Sequence, residues 1–376
     1  MRVGLDLHTL DGLMQGSRTY MANLAARLPA AAPDIDFVFY APDPDALAIR
    51  ALAPDARNIA YRPMPHGRFG RLVRPFPARA AREVDVLHCQ YVSPLCGGPA
   101  VVLSVHDILH ETLPQYFPRG LGSLMRLLYP GSARRAGMVL TISAFSRREI
   151  VARYKVPAHR VAYAHLGVDA TFSPVTDAAA LAAMRTRLGI PPGPYILSLG
   201  RIEPRKNLPG LVAAYGLLRR ELGGAAPQLV LAGGRDRLFA TFHESLRHDE
   251  AGAGIVFAGS VPQEDLPALL SGAAAFAYPS FGEGFGLPVA EAMACGTPVV
   301  ASTAPAVPEV AGDAALLVDP ADTAGLAAAL RRVVTDPALA AALRRKGLAR
   351  ARTFTWDAAV SLAVAAYRRV GSRLGA

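Results

Sequence analysis

Long apolar runs, paired cysteines and lysines are what this chain of 376 residues has least of. No apolar stretch reaches the roughly 18 residues that a membrane-spanning helix requires. The opening, Met1-Arg-Val-Gly-Leu-Asp-Leu7, reads as a buried first strand rather than a secretory leader, so a cytoplasmic location is expected. Cysteine is limited to Cys89, Cys96 and Cys295, with no C-x-x-C pair and no histidine at zinc-finger spacing. That argues for reduced thiols and against a disulfide framework or a structural metal. There is no repeat at the roughly 20–50-residue period of solenoids. The Gly-x-Gly-x-x-Gly turn of a dinucleotide site is missing after the first strand, where the chain reads Gly4-Leu-Asp-Leu-His8, which counts against a nicotinamide-dependent dehydrogenase.

Only three of the 40 basic residues are lysine, and the formal net charge is +10. Such an excess suits nucleic acid, anionic lipid or an anionic substrate, and an Arg-favouring genome explains part of it equally well. The arginines are scattered apart from six between Arg62 and Arg82, and no RNA-binding signature accompanies them. Nucleic acid is therefore not an expected partner.

With 52% hydrophobic and 19% charged residues the chain is globular, and its length suits two domains rather than one core. Short apolar runs at Val3–Leu7, Asp36–Tyr40, Val84–Cys89, Val101–Val105, Met138–Ile142 and Val161–Ala164 alternate with amphipathic stretches. The pattern restarts with Tyr195–Leu199, Gln228–Ala232, Ile255–Ala258, Ala274–Tyr278, Pro298–Ala301 and Ala315–Val318. Alternating strand and helix implies an α/β chain with parallel sheets covered on both faces, here two doubly wound Rossmann-like domains. The break is expected near Gly167–Pro174, giving domains over 1–172 and 173–355. A terminal helix over 356–376 is expected to pack back on the first domain. Ligands of such sheets bind beyond the carboxyl ends of the strands, so two domains facing across a cleft would present those loops to each other.

Two loops carry chemistry. After Tyr195–Leu199 comes Gly200-Arg201-Ile-Glu-Pro-Arg205-Lys206-Asn207, leading into a helix. A glycine turn, fixed cations and a helix amino terminus suit a diphosphate. After Ala274–Tyr278 comes Glu283-Gly284-Phe285-Gly286-Leu287-Pro288, with Glu291 about one turn into the following helix. The glycines let backbone approach a ligand, and the two carboxylates suit the paired hydroxyls of a sugar or ribose. No acidic cluster is read as a divalent-metal site. His8, His66, His88 and His165 are read as structural histidines.

The spacing Glu283-x7-Glu291 around Gly-Phe-Gly-Leu-Pro resembles the E-x7-E motif of retaining family-four glycosyltransferases of GT-B fold. The resemblance extends to Gly259-Ser-Val-Pro262, Gly296-Thr-Pro298, Pro308-Glu309-Val, Val318-Asp-Pro320, Val105-His106-Asp107, Thr141–Ser146 and Gly167-Val-Asp169, almost the whole chain. It implies that Arg201 and Lys206 bind the donor diphosphate beside Gly200 and stabilise the leaving group. Glu283 then binds the transferred sugar with the amides of Phe285 and Gly286, in a loop that includes Gly284 and Leu287. Glu291 holds the ribose, Ser260 and Val261 lie against the base, and His106 faces the reacting centre. The first loop departs from the family's Gly-Gly, leaving Gly16 as the phosphate contact and Arg18 as an acceptor contact.

The implied reaction is hexosyl transfer from a nucleotide-diphosphate sugar, GDP-mannose before UDP-sugars, to a saccharide or lipid-linked acceptor, without cofactor or metal. The Gly-x-Ile-Glu-Pro-Arg-Lys-Asn-Leu-Pro and Ser104-Val-His-Asp stretches are similar to a mannosyltransferase-like branch of polysaccharide synthesis. A nucleotide-sugar epimerase of the same fold is the alternative. The Leu-, Met- and Arg-containing segment Tyr116–Arg135 is expected either to touch an anionic membrane or to be an ordinary helix.

Overall fold

The computed structural model describes residues 1–11, 16–65, 70, 72–73, 76–95, 98–234 and 254–372. His66, Cys96 and residues 13–15 of the first loop lie outside the described residues. The chain divides into two compact units, Met1–Gly167 with Thr355–Ala376, and Val168–Phe354. Val168 N donates to Phe354 O at 3.0 Å, so the chain enters and leaves the second unit along adjacent paths.

The first unit is built on a seven-stranded sheet of order β3-β2-β1-β4-β5-β6-β7. The strands are β1 (Arg2–Asp6), β2 (Asp36–Ala41), β3 (Ile59–Pro63), β4 (Val86–Gln90), β5 (Ala100–Ser104), β6 (Met138–Thr141) and β7 (Val161–Tyr163). Every pairing is parallel. Strands covered on both faces need nearly unbroken apolar sequence, and β4 and β6 are buried along their whole length. β3 has no counterpart among the expected strands. It is a half-buried edge strand carrying Arg62 and Pro63, and a proline without an N–H is tolerated at an edge.

The helix Trp356–Gly371 joins this unit. Tyr367 Oη lies 2.6 Å from His88 Nδ1, and His88 Nε2 lies 2.7 Å from Ser104 Oγ, which satisfies both ring nitrogens. Burial pushes the His88 imidazole down to about 3, so it stays neutral in the core, as a structural histidine should. A Cβ on Gly137 would lie 2.9 Å from Val370, so the helix depends on a glycine for its close approach.

The second unit has a six-stranded parallel sheet of order β10-β9-β8-β11-β12-β13. Its strands are β8 (Tyr195–Leu199), β9 (Gln228–Ala232), β10 (Ile255–Gly259), β11 (Ala275–Tyr278), β12 (Val299–Ser302) and β13 (Ala315–Val318). In each sheet the chain runs outward on one side and then returns to the centre. The order therefore reverses between β1 and β4 and between β8 and β11, the places where doubly wound sheets bind ligands.

Replacing Tyr367 by Phe should leave a buried His88 nitrogen without its partner. The expected loss is about 1–3 kcal/mol of unfolding free energy, measurable by chemical denaturation.

Candidate functional site

The turns that leave β8, β9 and β10 are tied to one another through backbone. Gly200 N donates to Ala232 O at 3.0 Å, Ile202 N to Gly234 O at 3.2 Å, and Gly233 N to Gly259 O at 2.7 Å. A Cβ on Gly233 would meet Gly200 O at 1.8 Å, so only glycine permits this approach. Sequence reasoning passed over Gly233 and Gly234, although a Gly-Gly pair directly after a strand was the available signal.

Across the β8–β11 reversal, Glu283 reaches back to the β8 loop. Its Oε1 lies 2.8 Å from Lys206 Nζ and its Oε2 lies 2.8 Å from Arg205 Nη1. Lys206 also donates to Tyr278 Oη at 2.8 Å. Arg205 donates to Gly282 O and to Glu203 Oε1, each at 2.5 Å, and its own carbonyl accepts from Phe281 N at 2.9 Å. Burial alone would raise the Glu283 carboxyl, but Arg205 and Lys206 outweigh it and hold the group down at about 2. Burial in turn draws the Lys206 ammonium below its ordinary value against the pull of Glu283. The Arg205 guanidinium is buried too, yet the carboxylates of Glu283 and Glu203 more than compensate and keep it charged.

Arg201 lines the same cavity as Gly200 and Lys206, is 38% exposed in its side chain and reaches Glu203 at 3.6 Å. Three cations against Glu203 and Glu283 leave one net positive charge at this loop. The helix Leu208–Leu222 begins immediately after it, with Asn207 at a φ of 54° and no side-chain cap on its first turn. A cationic rim beside an uncapped helix start attracts an anion. Arg205 is a residue of this cluster that sequence reasoning left without a role. Its adjacency to Lys206 was visible, but its partner 78 positions away was not.

The Gly282–Gly286 turn is buried, and Gly286 has a φ of 103°. The Phe285 ring is buried edge-on to Phe354 at 5.5 Å, which leaves its amide rather than its ring as a ligand group. Glu291 is the fifth residue of the helix Leu287–Ala294 and is half-buried. Burial, followed by the charge of Asp169, pushes its carboxyl up to about 8. Ser260 is exposed and Val261 half-buried just past β10.

In the first unit His106 is 3% exposed, edge-on to Tyr20 at 4.7 Å and to Tyr91 at 5.5 Å. Burial pushes its imidazole down to about 4, and Nε2 has no hydrogen-bond partner among the described residues. Gly16 is exposed and opens the helix Gly16–Ala31, with Arg18 half-buried in its first turn. Two Asp-x-Asp spacings flank β2, but Asp34 pairs with Arg368 at 3.1 Å and Asp45 with Arg50 at 2.5 Å. Among the described residues no group of three potential metal ligands forms.

Two family profiles match the chain, "Glycosyl transferases group 1" over residues 183–350 and "Glycosyltransferase Family 4" over residues 14–172. O-antigen chain mannosyltransferase B of Escherichia coli is 36% identical over 267 residues, covering 71% of this chain and 70% of the relative. A D-inositol 3-phosphate glycosyltransferase of Acidothermus cellulolyticus is 30% identical over 94% of this chain and 85% of its own length. Among solved structures, a sucrose-phosphate synthase of Thermosynechococcus elongatus aligns with a TM-score of 0.76 at 22% identity over 99% of both chains. HepE of Anabaena, solved with UDP and glucose, aligns at 0.73 and 19% over 97% of this chain and 98% of its own. Two parallel Rossmann-like units of this kind are the GT-B architecture, and the protein is a glycosyltransferase. The chain belongs to family four of these enzymes and is mannosyltransferase-like.

Two outcomes follow for the second unit. Arg205→Ala takes one of two cations from each of Glu203 and Glu283 and should cost about 3–5 kcal/mol, with partial rescue by lysine, in denaturation of the full chain. Glu291 binds a proton more tightly folded than unfolded, so its contribution to stability falls as pH rises from about 4.5 towards 8. Glu291→Gln should therefore raise the ligand-free Tm near neutral pH, with the gain vanishing at the acid end of that window.

Proposed function

We propose that this glycosyltransferase moves a hexosyl group, mannose first, from a nucleotide-diphosphate donor to a saccharide or lipid-linked saccharide in polysaccharide biosynthesis, with retention of anomeric configuration. The observation that carries the reading is the buried Lys206–Glu283–Arg205 clamp beside the Gly200–Arg201 turn. It presents a net positive rim to a diphosphate and a fixed carboxylate to sugar hydroxyls. GDP-mannose is the favoured donor because the relatives include mannosyltransferases of Escherichia coli.

In this reading Arg201 and Lys206 neutralise the charge that develops on the leaving diphosphate, helped by the start of the helix Leu208–Leu222. The amides of Phe285 and Gly286 and the Glu283 carboxylate hold the transferred sugar, Glu291 the ribose, and Ser260 and Val261 the base. Both Glu283 oxygens are engaged by cations at 2.8 Å, which makes the group a poor nucleophile. A glycosyl-enzyme intermediate on it is therefore disfavoured. The departing phosphate then takes the proton of the acceptor hydroxyl on the same face of the sugar. Neutral His106 supplies a hydrogen bond to the transferred sugar.

Lys206→Ala and Arg201→Ala should each lower kcat by about two to three orders of magnitude at saturating donor, as expected for losing a charge-stabilising group. Turnover near that of the wild type would overturn these roles. A thermal-shift screen across GDP- and UDP-sugars tests the donor, and a UDP-only response would replace GDP-mannose. Activity is expected to persist in EDTA, and its loss there with recovery in manganese would sink metal independence.

Peripheral contact with a membrane from the cytoplasmic side is a further expectation. Among the described residues no helix is long and apolar enough to cross a membrane. In the helix Arg119–Arg135, Arg126, Arg134 and Arg135 are held by His110 O, Tyr154 O and Ser93 Oγ. The contact would rest on Leu127, 75% exposed, and Leu124 more than on a row of arginines. Leu127→Asp should then reduce co-sedimentation with phospholipid vesicles, and an unchanged bound fraction would remove the expectation.

A further inference from the structure

Lys206 closes the tight turn Pro204–Lys206 after β8, and Tyr278 is the last residue of β11, the neighbour of β8 in the sheet. Both belong to the second unit, on either side of its strand-order reversal. Tyr278 is buried, and Phe276, two residues back on the same face of the strand, stacks on its ring at 5.8 Å. Strand pairing sets its backbone against Ala301 of β12. The phenol therefore has little freedom to turn. Its Oη lies 2.8 Å from Lys206 Nζ, whereas the ring centroid lies 4.8 Å away, so the contact is made with the hydroxyl rather than with the ring face.

A lysine ammonium carries three N–H donors at the end of a flexible stem. Glu283 Oε1, at 2.8 Å, accepts from one of them and fixes where the charge sits. A single acceptor still leaves the group free to turn about that contact, and a second acceptor removes the freedom. The hydroxyl of Tyr278 is that second acceptor, and among the described residues there is no third. Lys206 lines the same cavity as Gly200, Arg201 and Tyr278, and a Cβ on Gly200 would lie 3.7 Å from Nζ, so the ammonium rests against the glycine turn. Burial, followed by the charge of Glu283, pushes the Tyr278 phenol well above its ordinary value, so the hydroxyl stays neutral beside the ammonium.

We propose that Tyr278 is the positioning residue of Lys206: its hydroxyl and Glu283 Oε1 take two of the ammonium's N–H bonds, and the third is thereby directed to a phosphate oxygen of the leaving group. The proposal rests on the reading above in which Lys206 meets the donor diphosphate. A cation stabilises developing charge best when it is aimed beforehand, because no reorganisation is then needed as the sugar–phosphate bond breaks. In this role Tyr278 touches neither sugar nor phosphate and acts only through Lys206. The charged groups around the ammonium are Glu283 and Glu203, which favour its charged form, and Arg205, which opposes it, while Arg201 lines the same cavity. An oxygen that accepts from the ammonium also favours the charged form. Loss of the hydroxyl lets burial draw Lys206 further below its ordinary value, so activity that needs the charged lysine ends at a lower pH.

The test is turnover of GDP-mannose, or of the UDP-sugar that replaces it in the thermal-shift screen, by the full chain, read beside calorimetric binding of the matching nucleoside diphosphate and monophosphate. Tyr278→Phe keeps the ring and removes the hydroxyl. At saturating donor its kcat should fall about tenfold, and the alkaline limb of the kcat–pH profile should move towards lower pH. Its preference for the diphosphate over the monophosphate should shrink by about threefold, part of the worth of one hydrogen bond. In a Lys206→Ala background the same substitution should cost nothing further. A merely structural tyrosine would lower Tm while leaving kcat, the alkaline limb and the diphosphate preference in place, which overturns the proposal. An equal loss in both backgrounds overturns it too, because the effect would then bypass Lys206. Wild-type turnover and diphosphate preference in Lys206→Ala would remove the donor reading and this role with it. An impaired Lys206→Ala beside an unaffected Tyr278→Phe would remove the role alone.

Discussion

Burying carboxylates and cations together is costly unless every partner is supplied, because each ion gives up water worth several kcal/mol. The second unit meets that condition at one place, where Glu283 is shared between Arg205 and Lys206. Much else in the unit is arranged by this interaction. Arg205 gathers Glu203, Gly282 and Phe281 around itself, so the loop after β8 and the loop after β11 behave as one piece. The Gly286 turn and the helix that carries Glu291 then start from a fixed point. Gly233 and Gly200, in backbone contact, lock the neighbouring strand ends to the same frame.

The two units carry the same kind of strand-order reversal in different electrostatic surroundings. At its reversal the second unit keeps a charged cluster with a net positive rim. The first keeps histidines that burial holds neutral, with His88 pushed down to about 3 and His106 and His110 to about 4. A positive rim suits the diphosphate of the proposed donor.

The reading of Glu283 and Glu291 as a pair is divided by their surroundings. Cations drive one carboxyl down to about 2, and burial with Asp169 drives the other up to about 8. Similar residues eight positions apart therefore enter the ligand-free state with different protonation. Glu283 is a fixed anion, while Glu291 near neutral pH is largely a carboxylic acid that can donate as well as accept.

The strands Tyr195–Leu199 and Gln228–Ala232 were legible to the residue, because a strand inside a sheet covered on both faces must be written as an apolar run. The Gly-rich turn, the E-x7-E spacing and the Gly200–Lys206 cations were legible for a similar reason, since each is a local pattern with a local cause. β3 escaped because an edge strand needs no such run and tolerates Pro63. The partners of Arg205 and the close approach of Gly233 to Gly200 could be read only from the fold. Each depends on which strands lie side by side, and that order reverses at the centre of both sheets. Sequence alone therefore pointed to the loops after β8 and β11 as the place of the candidate site. Tertiary structure decided which of their side chains are paired and which are buried, because pairing and burial are properties of neighbours distant along the chain.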